Sequence, residues 1–483
     1  MLAPWALEEM KQAELNDKRL NARLAEVLSA LGERPTFSIP AACGGYAETT
    51  AAYRLFDNPK VTFETVLQPH IERTRERIAE QEIVLLAQDT TELDVTRPEQ
   101  QVIGAGPMDS DTRRGAYLHL MEAFTTDGTP LGAAWADVQI RDDEQFQQSA
   151  EEKRKLRKAL PIEEKESFRW LEGLRQAREV AQQSPHVQCV CIGDSEADIY
   201  HLFAEPRGEH AVHWLIRACQ ERCVETEAKN NGKWPTIREV VMGEPVLFTK
   251  EITVRGRQPK TACETRSRRM ARESRKTEVE VRAGRVLLRP PAASDRPLPS
   301  VMVNVVMVRE MNPPDDEEPV EWILLTTLPI DTIEEVRQII QYYCVRWMIE
   351  VFFRTLKSGC RVEKRRFEHM DRLLPCVAVY LIVAWRTLML CRLGRSCPDM
   401  DCEAVFEPSE WKSVWVVIHR TDPPQEPPKL GVMLRLIAQL GGYVNRPNRP
   451  DPRGPQTIWL GLQRMHDLAW GWETFGPGAR PDT

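Results

Sequence analysis

The chain has 483 residues, of which 28% are charged and 42% hydrophobic, with 65 basic against 72 acidic side chains and a formal net charge of −7. That length is too great for one hydrophobic core and implies two to four domains, and the composition is that of a soluble globular protein. The acidic balance argues weakly against a nucleic-acid partner, but phosphate contacts depend on local patches rather than on the total.

The first ten residues, Met1 to Met10, carry charge early and have no apolar stretch of the signal-peptide kind, so no secretory leader is expected. Residues 1 to 75 read as helical. Trp5 to Leu31 has apolar residues at helical spacing, and a second run with Ala51, Tyr53 and Leu55 breaks at Asn58-Pro59. Arg19, Arg23 and Arg54 lie among these helices. A small helical module with exposed arginines suits DNA-end recognition, although surface arginines are common.

From residue 80 the pattern becomes one of strands. Ile83 to Ala87 is an apolar run that reads as a buried strand delivering Asp89 at its end. Tyr117 to Phe124 and Leu131 to Ile140 read as two further strands around a turn at Thr126-Asp127-Gly128. Glu163 to Gln183 reads as a charged helix. Val187 to Ile192 is another buried strand, ending at Gly193-Asp194, with a helix expected from about Ala197. Three strands, a helix, then a strand ending in an acid is the order of an RNase H-like core.

Residues 209 to about 330 read as a β-rich insertion, with strands at His213 to Arg217, Val246 to Val254, Thr277 to Leu288, Val301 to Val308 and Trp322 to Thr326. Two basic runs, Arg266 to Lys276 and Arg361 to Arg366, suit phosphate contact or simply a solvated surface. From Thr332 to about residue 393 the pattern is helical. It includes Leu373 to Trp385, too short for a membrane span and interrupted by Pro375, hence a buried helix. Short helical pieces at Leu434 to Leu440 and Ile458 to Trp472 follow among proline clusters. Twelve cysteines without a regular framework read as reduced thiols, and Cys219 and Cys223 lack the second pair a zinc site needs. The domains expected are therefore residues 1–75 (helical, DNA-end-binding), 76–394 (catalytic, with the insertion at about 209–330) and 395–483 (helical, dimerising). The fold class is α/β: an RNase H-like catalytic core with a β-rich insertion, flanked by N-terminal and C-terminal helical domains.

The strongest local signal is Tyr343, Arg346, Glu350 and Lys357. On one helix at roughly 100° per residue they fall within about 60° of one another, with Arg354 beside them and Val345, Phe352 and Leu356 opposite. A carboxylate among cations can bind a metal while the cations hold phosphate oxygens. The same face equally suits solvent-exposed i,i+4 ion pairs. Asp89 and Asp194, each placed at a strand end, need partners that a divalent metal would supply, or else act as caps before Thr90 and Ser195. Three carboxylates suit two magnesium ions flanking a scissile phosphate. Gly193-x-Ser195 lacks the second glycine and the placed histidine of a serine hydrolase, and no phosphate-binding P-loop occurs, which excludes a nucleotide cofactor.

Tyr343-x2-Arg346-x3-Glu350-x6-Lys357 resembles the YREK signature of bacterial insertion-sequence transposases of the DDE superfamily, in the branch that includes transposon Tn5. Ala87-Gln88-Asp89-Thr90-Thr91 and Gly193 to Ile199 resemble the segments around that family's first and second acids. Tyr53-Arg54 with Asn58-Pro59, Asn312-Pro313-Pro314, Trp322 to Thr326 and Leu440-Gly441-Gly442 match in family order. The resemblance implies a cut-and-paste DNA transposase in which Asp89, Asp194 and Glu350 form the catalytic, metal-binding triad. It also implies two Mg2+ ions per site, with Mn2+ substituting. Tyr343, Arg346 and Lys357 would contact phosphates beside the cleavage point. Trp322 would stack on a flipped base, a role its strand position shares with an ordinary core tryptophan. Arg217, Arg23 and Arg54 would contact DNA. The implied partners are double-stranded DNA, as terminal inverted repeats and target, and a second copy of the chain on that DNA, with no membrane. The implied location is the bacterial cytoplasm, at the nucleoid when acting. Lys18-Arg19-Leu20 replaces a denser arginine cluster and Ser195 an arginine common after the second acid, which puts individual DNA contacts in doubt but not the chemistry.

Overall fold

The computed structural model describes residues 2–110, 112–143, 160–208, 212–227, 232–256, 272–292, 294–315, 317, 319–444 and 454–477. Of the first basic run, residues 266–271 lie outside these. The chain divides into two units: Met1–Gln148 with Trp347–Thr483, and Ser149–Arg346.

The first unit begins with helices at Pro4–Glu9, Lys18–Glu33, Ile39–Cys43, Tyr46–Phe56 and Phe63–Ala79. Their starts are written locally. Asp17 and Ser38 accept backbone N–H groups of the turn they open, and Thr62 with Thr65 forms a reciprocal capping box. Four strands follow: β1 (Ile83–Asp94), β2 (Gly106–Pro107), β3 (Arg114–Phe124) and β4 (Pro130–Gln139). They pair antiparallel in the order β2-β3-β1, with β4 on β3. β1 does not end before Asp89, as its apolar run suggests. It continues through Thr90 to Asp94, so Asp89 sits mid-strand opposite Leu120. The apolar residues Val84 to Ala87 mark only the half of β1 that is buried on both faces.

The same unit contains the helix Met370–Ser396, buried along most of its length. Among the described residues it is the one helix long and apolar enough to cross a membrane, but it packs on Phe63–Ala79, β4 and Lys18–Glu33 as a core element. Three more helices, Pro408–His419, Leu430–Leu440 and Pro455–Phe475, build a core on Trp411, Leu434, Ile437 and Met465. The last two approach at glycines: a Cβ on Gly461 would stand 1.9 Å from the Ile437 carbonyl oxygen. The Pro408–His419 helix goes beyond the sequence reading, although Pro408 in its first turn and the Glu407–Glu410 capping box are its start signals.

A buried polar cluster fastens the first helix to this unit. Glu9, 4% exposed, accepts from Arg77 at 3.0 and 3.1 Å and from His70 Nδ1. The Ala133 N–H donates to His70 Nε2 at 3.1 Å, which leaves the imidazole neutral with its proton on Nδ1, the direction in which burial drives it against the pull of Glu9. Burial opposes ionisation of Glu9, but its His70 and Arg77 contacts outweigh burial and lower its carboxyl. Arg77 also lies over the Trp385 ring at 4.3 Å. Gly132, at φ +133°, lets the chain pass here, since a Cβ would meet Thr74 Oγ1 at 2.2 Å.

Among its described residues the second unit opens with two short 3-10 turns and the helix Arg169–Gln183, so the charged segment from Glu163 becomes regular helix only at Arg169. Its strands are β5 (Gln188–Gly193), β6 (His213–Arg217), β7 (Val224–Glu225), β8 (Phe248–Val254), β9 (Arg275–Leu288), β10 (Val301–Glu310) and β11 (Glu321–Thr326). Their order is β5-β6-β11-β10-β9-β7, with β8 on β9. β5 and β6 are parallel and the others antiparallel, a mixed sheet. The antiparallel β4-β3-β1 arrangement of the first unit and the parallel pair β5-β6 of the second each fit the strand pattern of an RNase H-like core. Strands β6 to β11 lie between the second and third candidate acids, where the insertion is expected, but β6 pairs parallel with β5 and so belongs with the core strands.

Candidate active site

Asp89 has intermediate burial on β1, and its Oδ1 accepts the Thr90 N–H at 2.7 Å. Strand alternation turns Gln88 and Thr90 to the opposite face. There the buried His119 of β3 bridges them, with Nε2 3.1 Å from Gln88 Oε1 and Nδ1 2.8 Å from Thr90 Oγ1, and with Trp135 edge-on at 5.6 Å. These bonds tie the residues on either side of Asp89 to β3. The sequence reading did not single out His119; its place opposite Thr90 follows from strand register, which sequence spacing alone does not supply.

Tyr343 to Lys357 is not one helix. Ile333–Val345, opened by a Thr332–Glu335 capping box, ends at Arg346; a second helix runs Trp347–Arg354, and Thr355–Gly359 is a π-turn. Arg346, at φ −48° and ψ −36°, keeps a helical backbone between the two helices, with Tyr343 and Arg346 before this junction and Glu350 and Lys357 after it. Val345, Phe352 and Leu356 are nevertheless buried, as the helical spacing requires. The Trp347–Arg354 helix, with Glu350 at intermediate burial, packs on β1, the strand of Asp89. Lys357 lies 3.4 Å from Glu363, whose carboxylate also accepts the Asp94 N–H at 3.1 Å.

In the second unit, Asp194 follows β5 and caps a 3-10 turn, with Oδ1 accepting the Glu196 N–H at 2.8 Å. Burial, joined by the Asp194 charge, pushes the Glu196 carboxyl up. Tyr343 is 6% exposed and hydrogen-bonded to Arg346, itself 9% exposed. Burial raises the Tyr343 phenol and Asp194 adds to the rise, while the Arg346 and Arg217 charges oppose it. Trp322 meets the Tyr343 ring edge-on, centroids 5.4 Å apart. So Asp194, Arg217, Trp322, Tyr343 and Arg346 form one neighbourhood within this unit. It holds an acid, two guanidinium groups and a half-buried indole, the components that suit a phosphodiester with an unstacked base beside it. Asp198, to which the sequence reading gave no role, is buried in the same unit and accepts from Arg222 Nε at 2.8 Å.

Arg23 pairs with Glu26 at 2.8 Å on the Lys18–Glu33 helix, and Arg54 is exposed in the last turn of Tyr46–Phe56. Among the described residues no group of three or more His, Cys, Asp or Glu side chains stands together as a metal cage. The candidate donors, carboxylate oxygens, are right in kind for a hard divalent ion.

Three family models match in succession: residues 2–61 that for transposase DNA-binding, 172–374 that for the transposase DDE domain, and 382–473 that for the transposase Tn5 dimerisation domain. Asp194 and Glu350 fall in the second match, and Arg23 and Arg54 in the first. A solved piggyBac transposase synaptic complex with hairpin DNA aligns at 10% identity over 82% of this chain and 72% of that one, with a TM-score of 0.34, too distant a likeness to carry an argument.

Proposed function

We propose, from the premise that the chain belongs to the Tn5-like DDE transposases, that it excises and reinserts a DNA segment with Asp89, Asp194 and Glu350 as its catalytic acids. What supports this is the succession of DNA-binding, DDE and dimerisation matches along the chain, with two of the acids inside the DDE segment. The acids would hold two divalent ions, Mg2+ with Mn2+ as substitute. When bound, such a pair activates an attacking water or 3′-hydroxyl and stabilises the leaving oxygen.

The chain's own groups would do the rest. Arg346 and Lys357 hold phosphate oxygens in line, with Tyr343 bonded to Arg346 so that its fork is oriented before DNA arrives. Arg217 adds charge beside Asp194. Trp322 offers its face to a base turned out of the duplex, which favours the sharp bend a hairpin intermediate needs. Water first frees a 3′-hydroxyl at the transposon end. That hydroxyl attacks the opposite strand, a second water opens the hairpin, and the freed end joins target DNA. Arg23 and Arg54 bind the terminal repeats, and residues 395–483 pair two copies on the DNA.

The test is a supercoiled plasmid carrying the DNA that flanks this gene on both sides, incubated with the chain and magnesium. Nicking at the ends and joining of precut ends are expected. Asp89→Ala, Asp194→Ala and Glu350→Ala should each abolish nicking and leave end binding within about two-fold, since no phosphate-binding cation is lost. No nicking by the intact chain would mean a DNA-binding relative without catalysis, and nicking without joining a stand-alone nuclease. Any of the three variants that still nicks removes its residue from the site.

A further inference from the structure

Asp198 lies four residues beyond Asp194 and is buried, its side chain fully so, yet no role in the chemistry is assigned to it above. Its carboxylate is spent inside the protein. Oδ2 accepts the N–H groups of Cys219 and Gln220, each at 2.7 Å. Oδ1 accepts Arg222 Nε at 2.8 Å and also Arg222 Nη2, which donates further to the Asp198 carbonyl at 2.7 Å. The guanidinium is covered by Phe203 and Tyr200, with centroids 5.2 and 5.6 Å away. Between these anchors the Ala218 N–H donates to the Ile323 carbonyl at 2.8 Å, next to Trp322, and the Cys219 thiol donates to the Ser195 carbonyl at 3.2 Å.

The consequence is geometric. Arg217 ends β6, and residues 218–222 are bonded on one side to the segment that carries Asp194 and on the other to the strand that carries Trp322. We propose that Asp198, with Arg222, is a positioning residue that fixes Arg217 and Trp322 relative to Asp194. The inference rests on the function proposed above. A buried carboxylate with two backbone and two guanidinium donors is poorly placed to bind a metal as well, since its acceptor sites are filled. It acts through the groups around it, and a displacement of about 1 Å at a reacting centre costs on the order of 100-fold in rate.

The experiment compares the parent chain with Asp198→Asn, Arg222→Met and Arg222→Lys, beside Asp194→Ala and Arg217→Ala as references. Four quantities are read: single-turnover nicking of a bound end at saturating DNA, the Mg2+ concentration for half-maximal nicking, end binding, and deuterium uptake of the peptide containing residues 218–222. Expected for Asp198→Asn are nicking slowed on the order of 100-fold, an unchanged magnesium midpoint, unchanged end binding and faster exchange in that peptide. Arg222→Met should follow the same pattern and Arg222→Lys should recover part of the rate. If Asp198→Asn does not fold, Arg222→Met carries the test alone, because it leaves the Cys219 and Gln220 bonds in place. Nicking within two-fold of the parent in a folded variant overturns the proposal, as does a shifted magnesium midpoint, which would make Asp198 a metal ligand. Parent-level nicking by Asp194→Ala instead sinks the function on which the inference rests.

Discussion

Glu9→Gln is the most informative single change in the first unit. Glu9 lies within the DNA-binding match, whereas His70 and Arg77 lie outside it, so their contact ties that segment to the β4 side of the unit. The substitution keeps shape but removes the charge that the Arg77 fork grips and turns an NH2 group towards donors. Breaking one side of a buried ion pair costs about 3 kcal/mol or more. At about 2–4 °C per kcal/mol for a body of this size, the melting temperature should fall by roughly 10 °C at pH 7. The effect must also depend on pH with a definite sign. The Glu9 carboxyl is lowered on folding, so its contribution is complete above the unfolded value of about 4.5 and disappears as pH falls through the lowered folded value. Thermal unfolding of parent and variant, followed by circular dichroism from pH 8 down to pH 3, reads both quantities. A variant within about 1 °C of the parent at pH 7, or a gap that widens on acidification, would refute the reasoning. End binding by the variant should weaken with temperature sooner than the parent's, because the anchor rather than a DNA contact has been lost.

Trp322→Ala should slow hairpin formation more than the first nick, followed by gel analysis of a labelled end; equal slowing of both steps removes the base-stacking role. Glu122 is fully buried on β3 with both carboxylate oxygens unpartnered, and burial raises its carboxyl well above the ordinary range against the opposing charge of Arg77. Its contribution is complete below about pH 4.5 and is lost as pH rises towards the raised value, so Glu122→Gln should gain stability over the parent as pH increases, by about 1.4 kcal/mol per unit within that window. Denaturant titrations at pH 5 and pH 8 decide it, and an equal difference at both values sinks it. Gly461→Ala places a methyl group against the Ile437 carbonyl and should destabilise the C-terminal helices by about 1–3 kcal/mol, seen as a lower melting temperature; an unchanged transition would mean that these helices separate freely.

Much of the fold was legible because it rests on patterns that act locally. The apolar runs at Val187 to Ile192, Val301 to Val308 and Trp322 to Thr326 are strands within a residue or two at most ends, since short apolar runs rich in β-branched and aromatic residues favour the pleated strand. β1 was read too short because its second half, Asp89 to Asp94, is polar except for Leu93 and only partly buried, and such a stretch looks like a strand end. The junction at Arg346 had no proline or glycine to announce it, and the backbone there keeps helical dihedrals, φ −48° and ψ −36°. The candidate acids and cations rest on spacing and resemblance. Their supports, His119 and the Asp198–Arg222 pair, were missed because each depends on a contact between segments about 20 to 30 residues apart, made by residue types that occur everywhere on surfaces.

The Met370–Ser396 helix begins inside the DDE match, which ends at residue 374, and runs on into the dimerisation match, which begins at 382. One helix thus spans the junction of the two matched segments, packed on β4 and on Leu430–Leu440 and interrupted in its hydrogen bonding only where Pro375 lacks an N–H. With no loop at that junction, a tilt of the Leu430–Leu440 end would be felt at β4 rather than taken up between them.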